Sequence, residues 1–271
     1  MCRREIFKTG LSYHISRKKD SGGRGETALQ KKRGCLYWKA EDQGAKSGRD
    51  FAPAAPAQKG GAAMTEQLAR TIAALQKNNI QAQFVEGPED LVALLRRDYL
   101  RPGDTVAMGG TMTAAETGVA GLLACGDYRF LDRARPGITP EEAGEMMRRA
   151  FFADWYITST NAVTEQGELF NVDGNGNRVA AMAFGPKKVL VIAGENKIVP
   201  DLKAAVERVK AVAAPKNCVR LGLATPCAAT GHCGERRCRS EGRICCDFSV
   251  QSYQRDPQRI HLFFLPGRLG Y

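Results

Sequence analysis

The sequence predicts an α/β fold, a mainly parallel sheet sandwiched by helices, and three observations carry that prediction. From residue 64 onward, short apolar runs rich in Val, Ile, Leu and Phe alternate with longer amphipathic runs, the pattern of strands joined by helical crossovers. The densest set of strand-like runs lies between residues 154 and 197, at 155–158, 168–172, 179–184 and 189–193. Short polar loops separate them and hold Asn161, Glu165, Asp173, Asn175 and Lys197. A buried sheet with polar groups at its strand ends is the usual layout of an α/β ligand site.

The elements follow in order. Thr65 is placed to cap a helix over 65–78 whose apolar face is Leu68, Ile72 and Leu75. A strand is expected at 82–85, then a helix over 89–99 with Leu91, Leu94 and Leu95 inward. A strand at 104–108 ends in Gly109-Gly110-Thr111 and leads into a helix over 113–123, with a short strand at 130–132 beyond it. Thr139-Pro140-Glu141-Glu142 is a strong helix start. It offers a capping hydroxyl, a proline where no N–H is needed, and two acids facing the positive end of the helix dipole. That helix runs to about residue 152. After the 154–197 segment come a helix over 201–213, a strand at 219–223, a cysteine-rich loop at 225–248 and a final strand at 259–265. The turn Asp173-Gly174-Asn175-Gly176-Asn177, between two strand-like runs, predicts one antiparallel hairpin.

Residues 1–63 have a different character. Charged and glycine-rich breaks and an Ala/Pro stretch at 52–57 leave little periodicity, so this segment reads as a disordered basic extension. Met64 is the expected start of the natural chain, and 64–271 the folded domain. The extension carries 14 Lys and Arg against 6 Asp and Glu, which is +8 of the total net charge of +11. The body keeps no basic face with groove-reading or aromatic elements, which argues against nucleic-acid binding. No apolar run approaches the roughly 20 residues that span a bilayer. The basic N-terminus lacks the apolar core of a secretory signal. The expectation is a cytoplasmic protein without membrane insertion.

Several motifs could carry chemistry. Gly109-Gly110-Thr111 lies at a strand-to-helix junction, where backbone N–H groups can approach an anion. It lacks the Gly-Lys-Ser/Thr of a Walker loop, and a tight turn without ligand would use the same residues. Glu116, one turn further on, is a candidate site acid or a solvated helix residue. Glu165, followed by Gln166-Gly167, can project a carboxylate toward a substrate or serve as a turn acid. The Asp173–Asn177 turn starts like a calcium loop, but Arg178 stands where an EF-hand needs glycine and no glutamate closes the loop. The histidines are His14, His232 and His261. They suggest no Ser-His-Asp arrangement, so acid–base work falls to carboxylates or Lys197.

Five of the nine cysteines fall within twenty residues: Cys227, Cys233, Cys238, Cys245 and Cys246. Four thiolates, from Cys227, Cys233, Cys238 and Cys245, would suit zinc or an iron–sulfur cluster. No C-x-x-C occurs, and redox-active or structural thiols are the alternative. Arg236, Arg237, Arg239 and Arg243 would lower nearby thiol pKa values if they fold close.

Several blocks occur in order: G-G-T-M-T-A-A-E-T-G from Gly109, A-D-W-Y-I-T-S-T-N-A-V-T-E-Q-G-E-L from Ala153, V-L-V-I-A-G-E-N-K-I-V from Val189, T-P-C-A-A-T-G-H-C from Thr225, R-I-C at 243–245, and the ending R-I-H-L-F-F-L-P-G-R-L-G-Y. Together they make residues 64–271 resemble the lactate-utilisation (LUD) domain family, which includes LutC/YkgG-type proteins. The resemblance implies a fold like that of the NagB/RpiA/CoA-transferase group. It also implies a role in organic-acid metabolism, L-lactate to pyruvate, beside the iron–sulfur subunits of a lactate-oxidising complex. A small organic acid or phosphate-bearing ligand would sit at Gly109, Gly110, Thr111, Glu116, Asn161 and Asn196, with Glu165 and Lys197 as catalytic candidates. Two other readings stand beside this one. The chain could be a non-catalytic electron-transfer or partner subunit whose cysteine-rich segment binds metal or docks. Alternatively, Thr164-Glu165-Gln166-Gly167 resembles the nucleophile turn of CoA transferases, in which a glutamate attacks an acyl-CoA.

Overall fold

The computed structural model describes residues 63–234 and 238–271. The described residues all belong to one unit, Tyr37–Tyr271. The extension expected over 1–63 lies outside them, apart from Ala63. Ten strands are found among the described residues: β1 (Gln81–Phe84), β2 (Thr105–Met108), β3 (Arg129–Leu131), β4 (Trp155–Thr158), β5 (Ala162–Thr164), β6 (Leu169–Asp173), β7 (Lys188–Gly194), β8 (Ile198–Val199), β9 (Asp247–Gln251) and β10 (Ile260–Leu265). The α-helices are α1 (Glu66–Lys77), α2 (Pro88–Leu94), α3 (Met112–Glu116), α4 (Val119–Leu123), α5 (Pro140–Arg149), α6 (Asn177–Ala183), α7 (Leu202–Arg208), α8 (Ala214–Arg220) and α9 (Pro226–Thr230). None of these helices is long and apolar enough to cross a membrane.

The main sheet has six strands in the order β1-β10-β7-β4-β2-β3, and every neighbouring pair is parallel. Such a sheet needs cover on both faces, and the strand residues divide accordingly. Val189, Val191, Ala193, Leu262 and Phe264 pack with Leu68 and Leu75 of α1 and Met182 of α6. Their alternates Leu190, Ile192, Phe263 and Leu265 pack with Leu91 of α2, Ala114 of α3 and Val119 and Leu123 of α4. This period-two division explains why residues 189–193 of β7 and 262–265 of β10 read as unbroken apolar runs. Both faces are core, and burying a side chain such as Phe263 completely is worth about 1.5–3 kcal/mol. A smaller sheet, β8-β5-β6-β9, stands beside the main one. Its own core is Ala162, Phe170 and Val199 against Ala205, Val209 and Ala214.

The expected helix starts are found. The Thr65 hydroxyl accepts from the Leu68 N–H. Thr139 and Glu142 form a complete capping box ahead of α5. The helix expected over 113–123 is two helices, because Gly118 adopts φ 73° and turns the chain between α3 and α4. The helix over 89–99 ends in a π-helical turn at Leu95–Tyr99.

Three expectations are corrected. Residues 179–184 are not a strand. They belong mostly to α6, whose start is fixed by Gly176 at φ 72° and by Asp173 Oδ2, which accepts from the Arg178 N–H. An alanine-rich run such as Val-Ala-Ala-Met-Ala favours helix intrinsically, and short buried runs show no diagnostic period. The Asp173–Asn177 turn therefore joins a strand to a helix. The antiparallel hairpin is instead β5–β6, closed by Glu165-Gln166-Gly167 with Gly167 at φ 83°. Residues 219–223 are not a strand either. The helix expected to end at 213 continues through a π-helical turn at Val209–Ala213 into α8, which carries Pro215 near its start. The segment stops at Gly222, φ 65°.

Candidate functional site

The topology selects one place for a ligand. From β2 the chain crosses to β3 on one side, and from β4 it returns to β7 on the other. Ligands of open parallel sheets bind beyond the carboxyl ends of the strands at such a divergence. A cavity of about 290 Å³ lies there, lined by Gly110 and Thr111 from the loop after β2, by Thr113 of α3 and by Ser159, Thr160 and Asn161 after β4. Lys197 enters from the turn after β7, Arg178 from α6, and Asn217 and Arg220 from α8.

The cavity is electropositive. Its lining holds four cationic side chains, Arg133, Arg178, Lys197 and Arg220, and one carboxylate side chain, Asp173. Lys197 is only 2% exposed. Its Nζ lies 2.7 Å from Ser159 Oγ and 3.2 Å from Thr113 Oγ1, and no carboxylate among the described residues is within ion-pair distance of it. Burial, with repulsion from Arg208 and Arg178 and only partial relief from Glu116, pushes Lys197 down to about 7 from the ordinary 10.5. Near neutral pH this group can hold an anion as an ammonium or exchange a proton as an amine.

Arg178 plays another part. Its Nη1 donates to Asn171 Oδ1 at 2.6 Å and to the Ser159 carbonyl at 3.1 Å, and its Nη2 to the Val172 carbonyl at 2.7 Å and Asn161 Oδ1 at 2.9 Å. The guanidinium thereby ties the end of β4 to β6 and fixes the wall that presents Ser159. Burial lowers its pKa, with Asp173 opposing. Arg208, pushed down to about 10 by burial and then by Arg268, binds the Asn161 carbonyl at 2.6 Å and the Asn196 carbonyl at 3.1 Å.

Of the ligand-binding and catalytic candidates from sequence, Gly110, Thr111, Asn161 and Lys197 line the cavity, and Asp173, Asn175 and Cys245 line it too. Gly109 lies behind it. A Cβ there would come within 2.9 Å of Thr158 Oγ1 and Tyr156 Oη, so its glycine serves close packing. Thr111 caps α3 through its hydroxyl. Glu116 accepts from the Gly270 N–H at 2.7 Å and Asn196 from the Leu269 N–H at 3.2 Å; both hold the 269–270 segment against the site rather than line the cavity. Glu165 is in the β5–β6 turn, outside the cavity lining, and accepts from Gln67 Nε2 at 2.8 Å. Sequence reasoning missed Thr113, Ser159 and Arg178. Thr113 and Ser159 stand within quoted motifs, but their hydroxyls gain meaning only from Lys197, distant in sequence.

Among the described residues, no group of three or more His, Cys, Asp and Glu side chains is arranged to hold a metal ion. The four cysteines expected as ligands, Cys227, Cys233, Cys238 and Cys245, do not form such a group. Cys245 is pushed up to about 11 by burial, then by Cys218, Cys233 and Cys227, with Arg243 as the smallest and opposing cause. Arg236 and Arg237 lie outside the described residues.

Comparison with solved structures gives a DUF162 family protein from Deinococcus radiodurans, 15% identical over 75% of this chain and 99% of that one, with a TM-score of 0.39. It also gives eIF2B beta from Chaetomium thermophilum, 17% identical over 42% of this chain and 43% of that one, TM-score 0.29. A chain of the tetrameric eIF2B-beta2-delta2 complex from C. thermophilum is 19% identical over 42% of this chain and 45% of that one, TM-score 0.28. The chain thus spans less than half the length of the two eIF2B chains. No curated protein matches it. The family model described as the LUD domain matches residues 68–265, and the chain belongs to the LUD domain family.

Proposed function

We propose that the chain binds a small organic anion at the Lys197 cavity and serves organic-acid metabolism of the L-lactate-to-pyruvate type. The observation that carries this reading is the buried Lys197 ammonium, which lacks a carboxylate partner and sits in a cavity with four cations and one acid. A buried cation without a counterion is costly, and an anionic ligand would offset that cost. The volume of about 290 Å³ is at the lower bound of ligand pockets, roughly 300–1,000 Å³. It suits a hydroxy acid, an oxo acid or a compact phosphate-bearing molecule held through that phosphate. Membership of the LUD family supports the metabolic setting and, with it, a partnership with iron–sulfur subunits.

In this reading Lys197 Nζ, aimed by Ser159 and Thr113, contacts the ligand's carboxylate or phosphate, and Asn161 and the Gly110–Thr111 backbone flank it. Binding raises the Lys197 pKa, so the complex takes up protons and affinity falls as pH rises through about 7. Thermal shift and calorimetry with L-lactate, pyruvate and inorganic phosphate at pH 6 and pH 8.5 test it. The expected result is stabilisation by at least one of these anions, stronger at pH 6 and lost in Lys197→Met. Absence of stabilisation by all three, or a Lys197→Met protein that responds like the wild type, overturns it.

A further inference from the structure

We propose that Cys218 and Cys227 form a redox-active dithiol that closes to a disulfide when the protein meets a low-molecular-weight disulfide such as oxidised glutathione. Cys218 lies in α8 and is 2% exposed, while Cys227, in the first turn of α9, is half-buried. Their sulfurs are in contact at 3.7 Å, and neither is bridged. Thr225 Oγ1 stands 3.4 Å from Cys227 Sγ and orients it. The helices that carry them pack together, so the two thiols are held side by side, the approach a disulfide requires. Cys245, with its thiol held protonated by burial, is a poor competitor for the oxidant.

The chemistry balances in two exchanges. The more accessible Cys227 attacks oxidised glutathione as its thiolate, forming a mixed disulfide and releasing one glutathione. Cys218, whose thiol burial also pushes up, attacks the Cys227 sulfur as its proton passes to the departing glutathione sulfur, releasing the second glutathione and leaving the Cys218–Cys227 bond. Two protein thiols are oxidised, and one glutathione disulfide is reduced to two thiols. Cys218 lies between Asn217 and Arg220, which line the cavity, so the bond would fix that wall of the site. The inference rests on the sulfur contact and not on the anion-binding reading.

The test is peptide mapping of the full-length protein after oxidised glutathione and alkylation of the remaining thiols. Arg220 lies between the two cysteines, so trypsin separates their peptides and only a disulfide keeps them together; fragmentation then tells Cys227 from Cys233 on the shared peptide. The expected product is a Cys218–Cys227 crosslink with loss of two hydrogens, reversed by dithiothreitol. Cys218→Ser is expected to stop at a glutathione adduct on Cys227. Alkylation of both cysteines after the oxidant, a crosslink from either one to another cysteine, or stoichiometric zinc or iron held by them overturns the inference. The wild-type map decides the matter even if a variant fails to fold.

Discussion

Replacing Lys197 by methionine removes a buried charge and keeps an unbranched chain in the same space. The folded-state value of about 7 lies below the ordinary 10.5. Below pH 7 both folded and unfolded chains are protonated, and the folded state bears the full cost of a buried ammonium. Between about 7 and 10.5 the unfolded chain binds a proton that the folded chain has released, so this group makes stability rise with pH across that window. At about 1.36 kcal/mol for each tenfold change in acidity, the fall from 10.5 to about 7 corresponds to roughly 5 kcal/mol. Relaxation around real buried charges reduces this, and losing the bonds to Ser159 and Thr113 costs on the order of 1 kcal/mol each. Lys197→Met is therefore expected to be more stable than wild type by about 1–3 kcal/mol at pH 6, with the advantage shrinking steadily toward pH 9.

Urea denaturation of both proteins at pH 6, 7.5 and 9, at constant ionic strength, measures this difference. Other titrating groups, including the cysteines and tyrosines, contribute equally to both proteins and cancel. The decisive quantity is the slope of the difference with pH. Parallel stability curves from pH 6 to 9 would refute the argument, since they would mean that Lys197 titrates alike in the folded and unfolded chains.

Two further substitutions probe the frame around the site. Arg178→Met strands the acceptors at Ser159, Asn161, Asn171 and Val172. It is expected to cost about 3 kcal/mol or more in urea denaturation; a loss below 1 kcal/mol would show that the guanidinium is not the clamp. Gly167→Ala puts a Cβ at φ 83° within 2.5 Å of the Ala74 backbone. Its expected cost is on the order of 3 kcal/mol, seen as a lowered Tm, and an unchanged Tm would contradict the close approach of α1 to the β5–β6 turn.

Much of the fold is legible in the sequence because its signals are local. The Thr65 and Thr139 caps, the apolar faces of α1 and α2, and the β-branched and aromatic residues of β4, β7 and β10 each announce an element within a few residues. What fails is also local ambiguity. The 179–184 run is apolar enough for a buried strand, and only its alanine content favours the helix that forms. The helix expected to end at 213 instead runs on through a π-helical turn into α8, past Pro215. Strand β9, with Phe248 and Val250 exposed, has a weak pattern because it is an edge strand that needs no second buried face.

The site was half legible for a different reason. Gly110, Thr111, Asn161 and Lys197 are polar or small residues at strand ends, and an alternating α/β pattern alone marks such positions. Their convergence depends on strand order, which no local signal encodes. Only because β4 lies between β2 and β7 do the three loops after these strands meet, placing Thr113, Ser159 and Lys197 within hydrogen-bonding distance. The same order explains why Glu165, prominent in sequence, faces α1 instead. It follows the short β5 of the second sheet, whose turn packs on the outer helix rather than at the divergence of the main sheet. A carboxylate near Lys197 would have neutralised it. The placement of Glu165 elsewhere keeps the cavity cationic, and that is the property on which the proposed anion binding depends.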